Sequence, residues 1–287
     1  MINSFFTSDL HGHPHRYEKL IAAIEHETPK AVFLGGDLLP HHLASPASRG
    51  IVDQDFIVDY LVPLFAELRG RLGEAYPAVF VILGNDDPGF EEEMMLAGEE
   101  AGLWNYVHNR CYELEGFPVY GYAFVPPTPF LLKDWERYDV SRYVEPGSVS
   151  PEEGIRTVAV SDTEKRYGTI WSDLAALAGE SDLSRAVFLF HSPPHDTPLD
   201  RAALDGRKVD YVSMDVHVGS IAIRRFIEER QPLLTLHGHI HESARLTGSW
   251  RERIGTTLCF GGAHDGPELP LIRFDLENPE GATRELL

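Results

Sequence analysis

The sequence predicts an α/β layered fold, with helices covering sheet. Three observations lead there. Short apolar runs of strand length recur along the chain: INSFF, AVFLG, AVFVIL, FPVYGYAFV, AVFLF, PLLTLHG, TTLCFGG and LIRFDL. Helical patterns separate several of them, so the first half reads β-α-β-α-β-α. The runs are apolar on both faces, as strands covered on both sides must be. The last third is richer in strand, which predicts a second sheet.

Pro14 opens the first helix, because its fixed φ suits a first turn. Tyr17, Leu20, Ile21 and Ile24 follow at apolar helical spacing. A second helix runs from about Asp53, with Phe56, Ile57, Tyr60, Leu61, Leu64, Phe65 and Leu68 on one side. Pro63 predicts a bend or break in it, since proline removes a donor and crowds the preceding turn. A third helix spans about Phe90 to Ala101, its FEEEMM start suiting the dipole. A fourth begins near Gly219 and carries Ile223, Phe226 and Ile227. From about Phe124 to Ala186 the composition changes to proline, aromatics and charge, as in VPPTPFLLKDWERYDVSRYVEPGSVSPEEG. That stretch reads as a functional loop or lid inserted into one domain covering 1–287.

The 287 residues suffice for a substantial core. Against 25 basic residues stand 45 acidic ones, a formal net charge of −20. Such a field repels nucleic acid and anionic membrane, and suggests that bound cations neutralise some carboxylates. Cys111 and Cys259 belong to no CxxC pair, which suits a reducing cytoplasm. The start MINSFFTSDLHG lacks the pattern of a signal peptide, and no apolar run approaches the roughly 20 residues of a membrane span. A soluble cytoplasmic protein is expected. The motifs of P-loop hydrolases, zincins and serine esterases are absent.

The ends of the apolar runs carry the chemistry. INSFFTS stops at DLH (Asp9, His11), AVFLGG at Asp37, and AVFVILG at Asn85. AVFLF stops at His191, and PLLTLHG at HIH (His239, His241). In layered α/β folds, ligands bind at the carboxyl ends of strands. Asp, Asn and His without cysteine suit manganese, iron or zinc. Residues i and i+2 of a strand point the same way, so an extended backbone would let Asp9/His11 and His239/His241 each close on one ion. Neighbouring glycines let the backbone turn sharply and approach closely. These residues divide into two ions sharing one carboxylate, about 3.5–4 Å apart, the arrangement that hydrolyses phosphate esters.

The ordered set DLH, GGD, GND, HSPP and GHIH resembles the calcineurin-like metallophosphoesterase family, from Asp9 to His241. Read singly, Asp37 or Asp9 is an ordinary turn residue; five ordered motifs are not explained that way. The resemblance implies a four-layer α-β-β-α sandwich of two mixed sheets flanked by helices. It also implies that Asp9, His11 and His241 bind one metal, that Asn85, His191 and His239 bind the other, and that Asp37 bridges. The implied nucleophile is a hydroxide held between the metals.

One position departs from the family pattern. Where the third motif usually places a histidine that helps the leaving oxygen depart, GNDD places Asp86. An aspartate beside two dications is expected to stay ionised and to be a poor general acid. This predicts a preference for phosphodiesters or phosphoanhydrides with good leaving groups, in a small-molecule phosphoester or a nucleotide. His13 and His42 are the candidates to replace the missing acid; His15, His41, His195, His217 and His264 also crowd this edge. Read structurally, Asp87 is a turn or cap, His237 belongs inside a strand, and His15 lies on a helix surface. His195 and His217 then belong to substrate loops or surface. Gly219 and Ser220 form a helix cap rather than a phosphate site, and Tyr120, Tyr122, Phe124 and Phe130 pack between layers and lid. Competing activities are a phosphomonoesterase or protein phosphatase, and a nuclease, which the acidic charge disfavours. A catalytically weak binding scaffold would have lost ligand positions, and all seven are present.

Overall fold

A computed structural model describes residues 1–40 and 55–287. His41, His42 and the Asp53 end of the second expected helix lie outside the described residues. The chain begins with β1 (Asn3–Thr7), α1 (Pro14–Glu27), β2 (Ala31–Gly35), α2 (Val62–Leu72), β3 (Ala78–Ile82) and α3 (Glu92–Glu100). Next come β4 (Asn105–Tyr106), β5 (Cys111–Leu114), β6 (Phe117–Tyr122), α4 (Asp162–Tyr167), α5 (Ile170–Ala178) and β7 (Val187–Phe190). After them follow β8 (Lys208–Val209), β9 (Val212–Ser213), α6 (Ile221–Arg230), β10 (Leu234–His237) and α7 (Ser243–Thr247). The last strands are β11 (Arg251–Ile254), β12 (Thr257–Gly261), β13 (Pro270–Asp275) and β14 (Asn278–Leu286).

Two six-stranded mixed sheets result, in the orders β14-β13-β1-β2-β3-β4 and β11-β12-β10-β7-β6-β5. In the first, β1, β2, β3 and β4 run parallel and β13 pairs antiparallel with β1. In the second, β6, β7, β10 and β12 run parallel, with β5 and β11 antiparallel at the edges. The sheets face each other through aromatic side chains such as Phe260 of β12 and Phe274 of β13, whose rings meet edge-on 5.8 Å apart. α1 packs with α2, and α5 with α6, so each sheet is flanked by helices. This is the expected layered sandwich, and it sets the carboxyl ends of β1, β2, β3, β7 and β10 to serve one site.

The Pro63 expectation is refined. Ile57–Leu61 winds as a π-helix, and Pro63 is the second residue of the α-helical segment that follows. The chain is helical on both sides of Pro63, so the wide π turn just before it, rather than a break, accompanies the missing N–H.

The proline-rich stretch is less of a loop than its composition suggests. It contains α4 and α5, capped by Ser161 and Thr169, whose hydroxyls accept the backbone N–H groups of Glu164 and Ser172. Leu132, Trp135 and Tyr138 are buried. Lys133 and Glu136 form an ion pair with both side chains fully buried, and Thr128 donates two hydrogen bonds to Glu136, from its N–H at 2.8 Å and its hydroxyl at 2.6 Å. Burial pushes the Glu136 carboxyl up to about 7, against the pull of Lys133.

Candidate metal centre

Each candidate ligand sits in a short turn just beyond a parallel strand. Asp9 and His11 follow β1, Asp37 follows β2, Asn85 follows β3, His191 follows β7, and His239 and His241 follow β10. Their convergence is not the extended i/i+2 arrangement expected from the spacing. Asp9, His11, Asp37 and His239 all have positive φ, at 58°, 47°, 51° and 73°. Non-glycine residues adopt that region at a cost, and such strain collects at functional sites. The turns therefore aim the side chains, and the glycines beside them make room. A side chain at Gly84 would collide with Asp37 Oδ1 and His191 Nε2; one at Gly238 would collide with Ser8 and Asp9.

The side chains form two groups with one member in common. Asp9, His11, Asp37 and His241 offer ligand atoms all within 4.8 Å of one another, and so do Asp37, His191 and His239. The Nε2 atoms of His11 and His241 lie 3.0 Å apart, and His241 Nε2 lies 3.2 Å from Asp9 Oδ1. His191 Nε2 is 3.3 Å from Asp37 Oδ2 and 3.1 Å from Asn85 Oδ1, so the Asn85 carbonyl points inward.

Surrounding contacts fix these orientations. His191 Nδ1 donates to the Gly35 carbonyl at 2.8 Å, which leaves Nε2 for the centre. The His239 N–H donates to Asp9 at 3.0 Å, and the Asp86 N–H to Asp37 Oδ1 at 2.8 Å.

The electrostatics call for positive charge. Burial disfavours an imidazolium at His191, but Asp37 outweighs it and holds the ring up at about 10. At His241 burial is outweighed in the same way by Asp9, and the ring rises to about 9. Burial disfavours ionised Asp9 and Asp37, yet the facing histidines hold both carboxyls below the usual range. Burial takes His239 down to about 4, leaving it neutral and able to ligate. Buried carboxylates and inward-facing imidazole and amide atoms around one point form a donor set that fits divalent cations, which would take the place of the protons.

The remaining candidates distribute as follows. Asp86 lines the central cleft, accepts a hydrogen bond from Asn85 Nδ2 at 3.2 Å, and lies 3.9 Å from His11 Nδ1. His13 occupies the exposed N-cap position of α1 and is not among the residues lining the cleft. His237 is the last residue of β10, buried between Ser192 and Thr235 at hydrogen-bond distance. His15 is exposed, and His264 pairs with Glu268. Tyr120, Tyr122 and Phe124 are buried, whereas Phe130 is exposed in the cleft. The α6 N-terminus is filled by a carboxylate: Asp139 accepts from Ser220 Oγ and from the N–H groups of Ile221 and Ala222.

Two supporting residues escape a reading of the sequence. Asp87 stands in a turn, as read, but its buried side chain does more: it accepts the N–H groups of Leu38, Leu39 and Gly84 and ties the Asp37 turn to the Asn85 turn. Arg16 is buried on α1 and donates to the Asp9 carbonyl at 2.6 Å. The available signal was a cation on the apolar face of a helix, four residues before Leu20.

A cleft of about 390 Å³ opens beside the centre. Asp37, Asn85, Asp86, His239 and His241 line it, together with Pro126–Phe130, Tyr143, His195, Leu204, Met214 and His217. Part of the proline-rich stretch thus faces the candidate ligands.

No curated protein matches the chain in sequence. Among solved structures, it resembles TT1561 of Thermus thermophilus at 17% identity and a TM-score of 0.54, over 99% of this chain and 98% of that one. A dimetal phosphatase from Danio rerio is similar at 13% identity and a TM-score of 0.51, over 95% and 91% of the two chains. These likenesses concern the fold. The calcineurin-like phosphoesterase family matches residues 3–243, a span that takes in the strands from β1 to β10 and every candidate ligand. Ordered motifs, sandwich and convergent turns thus agree with that match, and the chain belongs to the calcineurin-like phosphoesterases, hydrolases of phosphoester bonds.

Proposed function

We propose that this protein is a two-metal hydrolase favouring phosphodiesters or phosphoanhydrides whose leaving oxygen needs little protonation. The observation that carries the reading is Asp37, the one residue common to both groups of candidate ligands. Asp9, His11 and His241 would hold one ion, Asn85, His191 and His239 the other, and the Asp37 carboxylate would serve both. Manganese, iron and zinc suit this oxygen and nitrogen donor set. When bound, such ions supply Lewis acidity, easing the loss of a water proton and polarising phosphoryl oxygens.

The chain's own residues set the rest. Arg16 and Asp87 hold the Asp9, Asp37 and Asn85 turns in place through backbone contacts. Asp86 lines the cleft and stands where the family pattern has a histidine, so a carboxyl group replaces the imidazole that would assist departure. Leaving groups that are stable as anions escape that requirement. A reducing cytoplasm is the setting we infer, in keeping with the free thiols of Cys111 and Cys259.

The test is a leaving-group series on enzyme loaded in turn with manganese, iron and zinc. Rates should fall steeply as the pKa of the departing alcohol rises. A flat dependence would overturn the reading of Asp86.

A further inference from the structure

Beyond the candidate ligands, apolar side chains make up much of the cleft surface. Pro126, Pro127, Phe130 and Tyr143 come from the stretch after β6, and Leu204 and Met214 come from the segment after β7. Phe130 and Tyr143 are 58% and 64% exposed, a large apolar surface to leave in water beside a reaction centre.

The charge of the cleft is equally one-sided. Among the described residues that line it there is no lysine and no arginine. Asp86, Glu145, Asp215 and Glu242 line it instead. The histidines there are already engaged: His217 Nδ1 lies 2.7 Å from the buried Asp200 carboxylate, and His195 Nε2 lies 3.6 Å from Asp215. A second phosphate in this space would meet carboxylates that no described lysine or arginine of the lining offsets, an arrangement that disfavours polyanions. An uncharged hydrocarbon would cover Phe130, Leu204 and Met214 and gain by leaving water.

From the continuity of this apolar surface, which among the described residues carries no lysine or arginine, with the candidate metal centre, we infer that the substrate is a phosphodiester carrying an uncharged, apolar organic group, which the cleft holds. The inference rests on the phosphoester-hydrolase reading above, and narrows it away from nucleotides and phosphoanhydrides.

The test keeps the leaving group constant. The manganese-loaded full chain is given p-nitrophenyl diesters whose second substituent is methyl, ethyl, butyl or hexyl, with the thymidine 5′-ester as a polar comparison. Expected is a rise in kcat/KM of about threefold for each added methylene. The hexyl ester should exceed the thymidine ester by at least about tenfold. Leu204→Asp and Met214→Asp should each flatten the dependence on chain length. If one variant fails to fold, the other and the wild-type series still decide. A series without a rise, or a thymidine ester equal to the hexyl ester, overturns the inference while leaving the hydrolase reading intact. No nitrophenolate from any ester, methyl included, would instead sink the hydrolase reading and this inference with it.

Discussion

The two walls of the cleft are made in opposite ways. On one, Asp37 and Asn85 are buried, set in turns at the strand ends with little room for a different side chain at the neighbouring glycines. On the other, Phe130 and Tyr143 are exposed on longer connections. The contrast separates two tasks. Groups that must converge on one point to within a fraction of an ångström are fixed by strained turns at strand ends, whereas groups that only need to be apolar and nearby sit on loops. The loops are nonetheless anchored, by the buried Lys133–Glu136 pair and by Asp139 at the start of α6.

The sharpest way to break this comparison is at the shared carboxylate. Asp37→Ala should lower turnover by more than about a thousandfold and release bound metal, both measurable on one preparation. Retained metal with retained rate would dissolve the distinction between the walls. The next largest effect tests the anchoring of the loop wall. Lys133→Met leaves Glu136 buried without its partner and should cost about 3 kcal/mol in urea unfolding. A neutral result would mean that the pair does not anchor the loop.

A third measurement uses His108, which packs beneath the loop wall against Phe124 and Trp135. Burial takes its pKa down to about 3, and Arg137 and Arg110 add to this. The unfolded chain therefore binds a proton that the folded one refuses, between the ordinary value and about 3. Stability from this group is full above the unfolded value and is lost as pH falls, by about 2 kcal/mol at pH 5. His108→Gln should make the stability profile between pH 7 and 5 shallower; an unchanged slope would refute the burial argument. The smallest expected effect concerns the boundary between the walls. Asp86→His should raise the rate on alkyl leaving groups by about tenfold while metal content stays the same.

The parallel core was legible because its strands are apolar on both faces: AVFLG, AVFVI and VFLF occupy interior positions. The edges were not. β5 (CYEL), β11 (RERI) and β14 (NPEGATREL) carry charge or proline, as exposed edges tend to, and so lose the apolar run that marks a strand. α5 was hidden because its IWSDLAALA pattern lies within a stretch whose prolines suggest loop. At the centre, residue type identified the side chains that converge, but spacing suggested the wrong backbone. Periodicity reports extended or helical chain and is blind to isolated left-handed residues; only the adjacent glycines hinted at them. Asp87 reads correctly as a turn residue, but its wider tie was not legible, since the N–H groups it accepts lie nearly fifty residues away in sequence as well as next door.

Asp139 gives the loop wall a natural seam. Its carboxylate is fastened to the first residues of a helix belonging to the second sheet, more than eighty positions along the chain. Anyone wishing to exchange specificity between relatives by swapping this segment would have to transplant the carboxylate and its serine together. A graft that put another residue type at 139 would leave the new wall unfastened there, and the N–H groups of Ile221 and Ala222 without their carboxylate.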